Sequence, residues 1–547
     1  MAAHVYFQET FTPEERAILA RYFTNLDRPV FALINLPEVV KGALFARYSR
    51  THKSLRRLLL DEFLTDPEQG IEAIASRLTD EDQLVATGKA EALYQRVFSE
   101  YGDDSVAQLG GVHLAAEQAS NLLTKVLERG RLAAYLEQST RYIYYDRPLG
   151  DRYRYFTPEE VVEAGLSDEF AATMDWLFGA YSEVIGRLVP HFEARFPQGP
   201  GDSDFVWRST IRAKACDAAR GLLPAATTSN VGIYASGQSY EALLLRMRAH
   251  PLAEARRYSQ LMLDELRSVI PSFVKRVDVP DRGGVWSAYL ADIRADMDAR
   301  SRTLDVEPED RPEVVLTDWD PDGELKVAAA ALYAHSDLPD DQLLSVVGRM
   351  PEADRAELIR AYVGDRSNRR HKPGRGMERT GYRFDILCDY GIFRDLQRHR
   401  LMTLDWQRLG TRHGYVTPAS VQTVGAAELW DEAMDRTAHL TARIERAAGP
   451  DAAQYAVPFA YRIRFYMDLN AREAFHLLEL RTARGGHADY RRVCQEMHRL
   501  IGEQAGHRLI ADAMSYVDYH DYELGRLESE RRSEARRQAT GVPEPVL

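Results

Sequence analysis

Three segments of the sequence concentrate arginine, histidine and hydroxyl side chains at spacings suited to a phosphorylated ligand. The first, RGRLAAYLEQSTRY at 129–142, holds three arginines, a serine and two tyrosines. The second, QRHR at 397–400, sets a histidine between two arginines, and the third, LNAREAFHLLELR at 469–481, adds more cationic groups. The arginine guanidinium is a planar fork of donors that matches phosphate oxygens. Several arginines converging on one pocket would therefore hold a nucleotide phosphate.

The alternative is that these arginines solvate helix ends, as exposed charge runs usually do. On that interpretation Arg129, Arg131 and Arg141 are surface residues, and His476 is a satisfied side chain on the wet face of an amphipathic helix. Each of the three segments, taken alone, is compatible with both interpretations.

Length and composition restrict the class of protein. The chain has 547 residues, of which 45% are hydrophobic, and a formal net charge of -13. This length favours two or more globular units. The charge disfavours a nucleic-acid-binding helical repeat protein, so we expect no nucleic-acid partner. No stretch approaches the roughly 18 uncharged apolar residues of a spanning helix, so we expect no membrane association.

The three cysteines, Cys216, Cys388 and Cys494, are far apart and form no CxxC pair. Neither a disulfide framework nor a cysteine zinc site is indicated, and no metal site is predicted. A reducing cytoplasm is the expected location.

Hydrophobic periodicity predicts a mixed class in which helix dominates. LLTKVLERGRLAAYL at 122–136, LWDEAMDRTAHLTARIERAAG at 429–449 and YRRVCQEMHRLIGEQAGHRLIADAM at 490–514 have helical spacing. GYRFDILCDYGIF from Gly381 and AYRIRFYMDLN around Ile463 alternate and are rich in strand-forming residues.

The basic segments also reveal an internal repeat. The offset between matched positions falls by 35 residues along the chain, which predicts an insertion in the first half around 146–204. The matched pairs are Arg129 and Arg398 at an offset of 269, Pro224 and Pro458 at 234, and Arg246 and Arg481 at 235.

RGRLAAYLEQSTRY resembles the signature of the flavin-dependent thymidylate synthase (ThyX) family: Arg-His-Arg, seven residues, Ser, and then an Arg-Tyr pair. Gly130 replaces the histidine, while the signature is matched by Arg129, Arg131, Ser139, Arg141 and Tyr142. In the second half Arg398, His399 and Arg400 match the start of the signature. Its end is lost there, because the Ser, Arg and Tyr positions hold Arg408, Gly410 and Thr411.

A later family segment, a proline region followed by Asn-Ala-Arg, Leu-Arg and a histidine, is also present twice. The second half matches it with Pro458, Leu469–Arg472, Leu480, Arg481 and His487. The first half matches it with Arg220, Pro224, Arg246 and His250, but has SGQ at 236–238 where Asn-Ala-Arg belongs.

The resemblance implies a helix-rich α+β fold with two tandem ThyX-like repeats, packed as a pseudo-tetramer in a homodimer. The first repeat would span 1–290, a linker 291–325, the second repeat 326–525 and a charged tail 526–547. The resemblance further implies FAD as cofactor and a pyrimidine nucleotide as ligand. The family reaction is the reductive methylation of dUMP to dTMP, with methylenetetrahydrofolate and NADPH as co-substrates.

The family motif also implies roles for individual residues. Arg246 or Arg481 would polarise the base and Ser139 would lie near the reacting carbon, which makes these three the expected catalytic residues. The cofactor-binding residues would be Glu378, Arg398, His399, Arg400, Asn470, Arg472 and His487. The substrate-binding residues would be Arg129, Arg131, Ser139, Arg141, Tyr142, Arg220 and Arg246.

The losses in the two halves are complementary. We therefore expect one composite site with its flavin-binding part from the second repeat and its phosphate-binding part from the first. The sister site, with Gly130, Gln238, Arg408 and Gly410, would be dead or repurposed. Leu136 and Val126 replace an Asn and a Gln of the family, which makes a changed base or sugar an option. A non-catalytic relative that binds a nucleotide or a partner protein is the alternative.

Overall fold

The computed structural model describes residues 4–36, 38–64 and 110–540. Every residue given a role above lies in these ranges, whereas 541–547 of the predicted tail lie outside them. The strands are β1 Val30–Ala32, β2 Gly111–Ser120, β3 Ala133–Glu137, β4 Thr228–Ser236, β5 Val314–Trp319, β6 Gly381–Asp389, β7 Thr403–Trp406 and β8 Arg462–Asn470.

The α-helices of the described residues vary widely in length. They are α1 Pro13–Leu19, α2 Glu38–Tyr48, α3 Leu55–Leu58, α4 Asn121–Leu127, α5 Glu159–Glu163, α6 Ser167–Arg195, α7 Asp204–Ala219, α8 Gly237–Arg248, α9 Ala253–Arg267, α10 Val285–Ser301, α11 Gly323–Tyr333, α12 Asp340–Arg349, α13 Glu352–Val363, α14 Tyr390–Leu396, α15 Ala419–Thr423, α16 Ala427–Ala448, α17 Pro450–Ala453, α18 Ala471–Arg481, α19 Ala488–Glu503, α20 Arg508–Ala513 and α21 Leu527–Thr540.

The chain forms two compact units that do not simply follow its order. Unit 1 comprises Met1–Glu183, Leu222–Glu307 and Asp431–Pro458, and unit 2 comprises Val184–Gly221, Pro308–Trp430 and Phe459–Leu547. Each half of the chain thus contributes one segment to the unit built mainly from the other half. The predicted mixed, helix-rich class is confirmed.

Each unit contains a four-stranded antiparallel sheet, and the two sheets have the same strand order. The orders are β1-β2-β4-β3 in unit 1 and β5-β6-β8-β7 in unit 2. Equivalent sheet positions are separated by the offsets found in the sequence. Tyr135 pairs with Ile233 in unit 1, and Leu404 pairs with Met467 in unit 2, which gives offsets of 269 and 234. β2 contains a bulge at 117–118, with Gln118 at a φ of 55°, and this adds one residue relative to β6. The structure therefore repeats as the sequence does.

The 35-residue difference between the halves arises in two places. The offset is 269 at Tyr135 and Leu404, 260 at the helix-capping prolines Pro158 and Pro418, and 234 at the short 3-10 turns that begin at Arg220 and Gln454. The larger part of the extra chain lies in the longer α6 and in α7, which runs from Asp204 beyond the stretch we proposed.

The strands predicted from Gly381 and around Ile463 are confirmed as β6 and β8. The helical prediction for residues 122–136 is wrong in its second half. α4 ends at Leu127, and Ala133–Glu137 form β3, which pairs with β4. Gly130 interrupts the helical pattern, and the strand hydrogen bonds outweigh the local propensity of the segment. The arginine signature at 129–142 therefore contains a turn followed by strand β3, and none of it is helical.

Unit 1 incorporates its segment from the second half through backbone and buried side-chain bonds. The Ala225 and Ala226 amides donate to the carbonyls of Val457 and Tyr455, both at 2.9 Å. The Glu254 carboxylate accepts from the amide and hydroxyl of Ser120 at 2.8 and 2.6 Å, and from the Tyr455 hydroxyl at 2.7 Å. Burial nevertheless raises the pKa of Glu254 to about 7.

Unit 2 has the corresponding arrangement with different residues. Asp389 is the N-cap of α14, as Ser120 is of α4. Burial raises the pKa of Asp389 to about 7, against the charge of Arg220. Arg220 belongs to the segment that the first half contributes to unit 2. The equivalent position in unit 1 is Gln454.

The predicted linker and tail both contain regular structure. α10 covers 285–301 and β5 begins at Val314. The last helix, α21, lies on α7: Arg531 donates to Asp202 at 2.5 and 2.9 Å, and the Arg537 guanidinium stacks 4.6 Å from the centre of the Phe205 ring. Over the described ranges, no helix combines the length and apolar character needed to cross a bilayer.

Candidate functional site

The second-half motifs come together at the start and end of α18 in unit 2. Asn470 caps this helix, and its side chain accepts from the Glu473 amide at 2.9 Å. Glu473 and His476 are three residues apart and therefore share one helix face. His399 follows α14 and lies beside both of them, and its ring centre is 5.3 Å from that of His476.

A chain of polar contacts runs through this cluster. Arg481 Nε donates to His399 Nε2 at 2.9 Å, and His399 Nδ1 lies 3.3 Å from Glu473 Oε1. The other carboxylate oxygen of Glu473 is 3.6 Å from His476 Nδ1. Since an arginine can only donate, Nε2 of His399 must be the accepting nitrogen, and the proton of the neutral ring sits on Nδ1.

The charge states of this chain are set by opposing effects. Burial lowers the pKa of His399 to about 4, although the hydrogen bond to Glu473 opposes the shift. For Glu473 burial alone would raise the pKa, but hydrogen bonds from His399 and His476 outweigh it and lower the pKa to about 2. At neutral pH the chain therefore contains a cationic Arg481, a neutral His399 and an anionic Glu473.

His399, Glu473 and His476 also form a group whose potential ligand atoms lie within 4.8 Å of one another. Two histidines and a carboxylate could hold a transition metal. However, a metal on Nδ1 of a neutral His399 would force the proton onto Nε2, against the donating Arg481. The hydrogen-bonded chain therefore fits the geometry better than a metal site.

Asp395 links three predicted residues from both halves of the chain. Its carboxylate is 3.2 Å from Arg220 Nη1 and 3.8 Å from Arg398 Nη1, and its carbonyl accepts from Arg481 Nη2. Arg220 comes from the first half, so unit 2 combines a predicted substrate-binding residue with the cofactor-binding set.

A cationic cavity of about 480 Å³ lies beside the His476 end of the chain of contacts. It is lined by Arg369, Arg370, Lys372, Arg472, His476 and Glu479. The Glu479 carboxylate is buried and accepts from Arg366 at 2.7 and 2.6 Å, so its charge is neutralised. Burial and the nearby Arg472 and Arg369 lower the pKa of Lys372, with the Glu473 and Glu479 carboxylates opposing. This excess of cations favours an anionic ligand.

The remaining predicted cofactor residues do not all lie at this cavity. Arg472 donates to the Pro373 carbonyl at 3.1 Å and lies 3.5 Å from Glu378. Arg400 donates to the carbonyl of Arg398 at 3.4 Å. His487 caps α19 and lines a separate cavity of about 510 Å³ in unit 2, with Lys214, Arg484 and Asp489 among its other walls.

The first-repeat motifs lie in unit 1, apart from Arg220. Ser139 is half-buried, and its hydroxyl accepts from the Arg141 amide at 3.3 Å. Arg141 is buried, and the ring of Tyr142 is 5.2 Å from the Arg50 guanidinium. Arg129 and Arg131 are exposed.

Arg246 has a different environment from its counterpart Arg481. A Cβ atom added at Gly130 would meet the Tyr135 hydroxyl at 2.5 Å and Arg246 Nη2 at 3.7 Å. Burial lowers the pKa of Arg246, partly offset by Tyr135. Gly130 stands at the position of His399, and Ser239 and Ala242, counted from the helix caps Ser236 and Asn470, stand at those of Glu473 and His476. The three side chains that form the chain of contacts in unit 2 are therefore replaced at these positions.

Sequence reasoning missed Asp395, Glu473 and the basic group at 369–372. Asp395 stands where the first half has Val126, and Glu473 stands between two predicted residues, Arg472 and His476. RRHK at 369–372 was a visible basic run. A search for ionisable residues beside the motifs would have found all three.

Comparisons with known proteins agree with the repeat. The thymidylate synthase complementing protein family matches residues 58–272 and 314–505. A UPF0159 protein of Chlamydia pneumoniae is 39% identical over 532 residues, which cover 96% of this chain and 99% of that protein. A UPF0159 protein of Thermoplasma acidophilum is 28% identical, over 90% of this chain and 98% of that protein.

Among solved structures, a UMP/dUMP methylase from Streptomyces cacaoi bound with 5-Br dUMP is similar over 38% of this chain and 97% of its own. The TM-score is 0.30 and the sequence identity is 16%.

Proposed function

Because the chain belongs to the thymidylate synthase complementing protein family, matched once in each half, we propose that it binds FAD and a pyrimidine nucleotide and methylates dUMP to dTMP. The cationic cavity bounded by Arg369, Arg370, Lys372 and Arg472 carries this proposal. Its arginine and lysine donors suit a diphosphate.

The residues of unit 2 fit the cofactor that the family uses. Arg472 and the 369–372 group would hold the diphosphate of FAD, with Asn470, Arg398 and His399 close by. FAD bound there would carry the reducing equivalents, which NADPH supplies, while methylenetetrahydrofolate supplies the carbon. Arg481, held by His399 and Asp395, would polarise the pyrimidine, and Arg220 would contact the nucleotide.

The changes in unit 1 favour one functional site of this kind per chain. Gly130, Gln238, Ser239 and Ala242 stand at the unit 1 positions that correspond to His399, Arg472, Glu473 and His476. We propose that its Ser139, Arg141 and Arg246 retain nucleotide contacts, and that the chain assembles as a homodimer. The second candidate, a non-catalytic nucleotide-binding relative, is favoured by the same losses.

The test is FAD titration of the purified full chain, followed by tritium release from [5-³H]dUMP with NADPH and methylenetetrahydrofolate. Arg472→Gln copies the first-repeat residue Gln238 and should weaken FAD binding about 10- to 100-fold, as the loss of a charged hydrogen bond predicts. Gln238→Ala is the matched control and should leave FAD binding unchanged. FAD binding without tritium release would support the non-catalytic relative, and absence of FAD binding would refute the proposal.

A further inference from the structure

Glu473 has no role in any motif considered above, yet its side chain is buried and held by contacts with two histidines. Only 5% of its side chain is exposed, and it stays ionised. An ionised carboxylate is costly to bury unless hydrogen bonds compensate. Its partners are His399 and His476, and the Asn470 side chain accepts from its backbone amide.

We propose that Glu473 is a positioning residue that acts on Arg481 through His399. Its carboxylate accepts a hydrogen bond from Nδ1–H of His399. This holds the ring in the tautomer whose Nε2 carries no proton and can accept a hydrogen bond from Arg481 Nε. The guanidinium is then fixed by two acceptors, His399 Nε2 and the Asp395 carbonyl. The effect on catalysis rests on the proposed function, in which Arg481 polarises the base.

The first repeat provides a natural comparison for this arrangement. The first repeat has Gly130 at the position of His399, with the Tyr135 hydroxyl and Arg246 Nη2 next to it, and Ser239 at the position of Glu473. The Ser239 hydroxyl instead donates to the Leu132 carbonyl at 2.9 Å. Thus unit 2 has both the carboxylate of Glu473 and the imidazole of His399, whereas unit 1 has neither group at the equivalent positions, Ser239 and Gly130.

The tautomer of His399 tests the proposal directly and does not depend on activity. In full-length protein labelled with ¹⁵N-histidine, with His399→Gln for assignment, long-range ¹H–¹⁵N spectra should show Nδ1 protonated and Nε2 unprotonated. The ring should not titrate between pH 5.5 and 8.5. In Glu473→Ala the Nε2-protonated form should gain population, whereas Glu473→Gln should keep the wild-type tautomer because its carboxamide oxygen still accepts.

The turnover number should change in the same variants as the tautomer of His399. Glu473→Ala should lower kcat about 10- to 100-fold, as loss of an orienting partner does in comparable sites, with KM for dUMP changed less than about threefold. Glu473→Gln should recover most of kcat. The exposed Glu432→Gln serves as control for a lost carboxylate and should match wild type.

Three results would overturn the proposal. One is an Nε2-protonated His399 in the wild type, and another is an unchanged tautomer in Glu473→Ala. The third is stoichiometric zinc or iron in the purified wild type that is lost in both Glu473→Ala and His476→Ala, which would identify a metal site. An inactive wild type with the expected tautomers would refute the proposed function and leave the positioning contact standing.

Discussion

The hydroxyl of Tyr135 occupies the space into which a side chain at Gly130 would project, 2.5 Å from the position of its Cβ atom. The equivalent pair in the second repeat is Leu404 and His399, and Leu404 carries no hydroxyl. In the first repeat the phenol of β3 thus lies where a side chain at position 130 would begin.

This relationship predicts that Gly130→Ala destabilises unit 1. Overpacking of a closed core costs about 1–3 kcal/mol, but the clashing atom here is the end of a partly exposed tyrosine side chain, which can turn aside. We therefore expect a loss of about 1 kcal/mol or less, which thermal unfolding should register as a lower Tm. Gly410→Ala is the control, since a Cβ there meets no atom within 4 Å.

Tyr135→Phe removes the clashing oxygen and should restore most of the loss in the double variant Gly130→Ala/Tyr135→Phe. A double-mutant cycle measures this coupling. Additive effects of the two substitutions would show that the phenol does not fill the vacated position.

The raised pKa of Glu254 predicts pH-dependent stability. The folded value is about 7 against 4.5 for the ordinary side chain, so folding favours the protonated form. This contribution is complete below pH 4.5 and is lost as the pH rises to about 7, an amount of about 3 kcal/mol. Glu254→Gln should therefore lose less stability than the wild type between pH 5 and 8 in urea unfolding.

Asp389 shifts in the same direction and stays in the variant, so the comparison isolates the share of Glu254. Glu14→Gln, at an exposed position in α1, should follow the wild-type profile. A Glu254→Gln profile parallel to that of the wild type would mean that the carboxyl is ionised throughout this range.

The contact between α21 and α7 should be sensitive to salt. Arg531 is half exposed and bonds to Asp202, and exposed ion pairs contribute about 1 kcal/mol or less. Asp202→Asn should raise the rate of tryptic cleavage within α21 up to about fivefold, and 0.5 M NaCl should do the same to the wild type. Asp204→Asn, at an exposed position two residues away that contacts Gln198 and Arg208, should have no effect. Equal cleavage rates in all samples would refute the contact.

Strong local patterns made part of the fold predictable. β6 and β8 alternate between buried and less buried positions along their whole length, and Asn470 and Ser236 are typical helix caps. β3 was not predictable, because Leu132–Leu136 fits a helical stripe as well as a strand. Only its pairing with β4, more than 90 residues away in sequence, decides between them.

Residues of the candidate site were predictable where they belong to a motif, and not where only contacts between distant segments bring them together. Arg398 and His399 were named from the signature, and Arg472 and Arg481 from the later family segment. The bonding of Asp395 to Arg220 depends on where two distant segments meet. Glu473 has no motif because its role comes from burial beside His399, which periodicity alone does not reveal.

The interleaved composition of the two units sets an order for their completion during synthesis. Unit 1 needs Asp431–Pro458, so the chain must be synthesised beyond Pro458 before the buried carboxylate of Glu254 can meet Tyr455. Unit 2 needs Val184–Gly221, which emerges long before its sheet. Neither half can mature alone, and a gene split at the midpoint should yield fragments that are folded only when they are produced together.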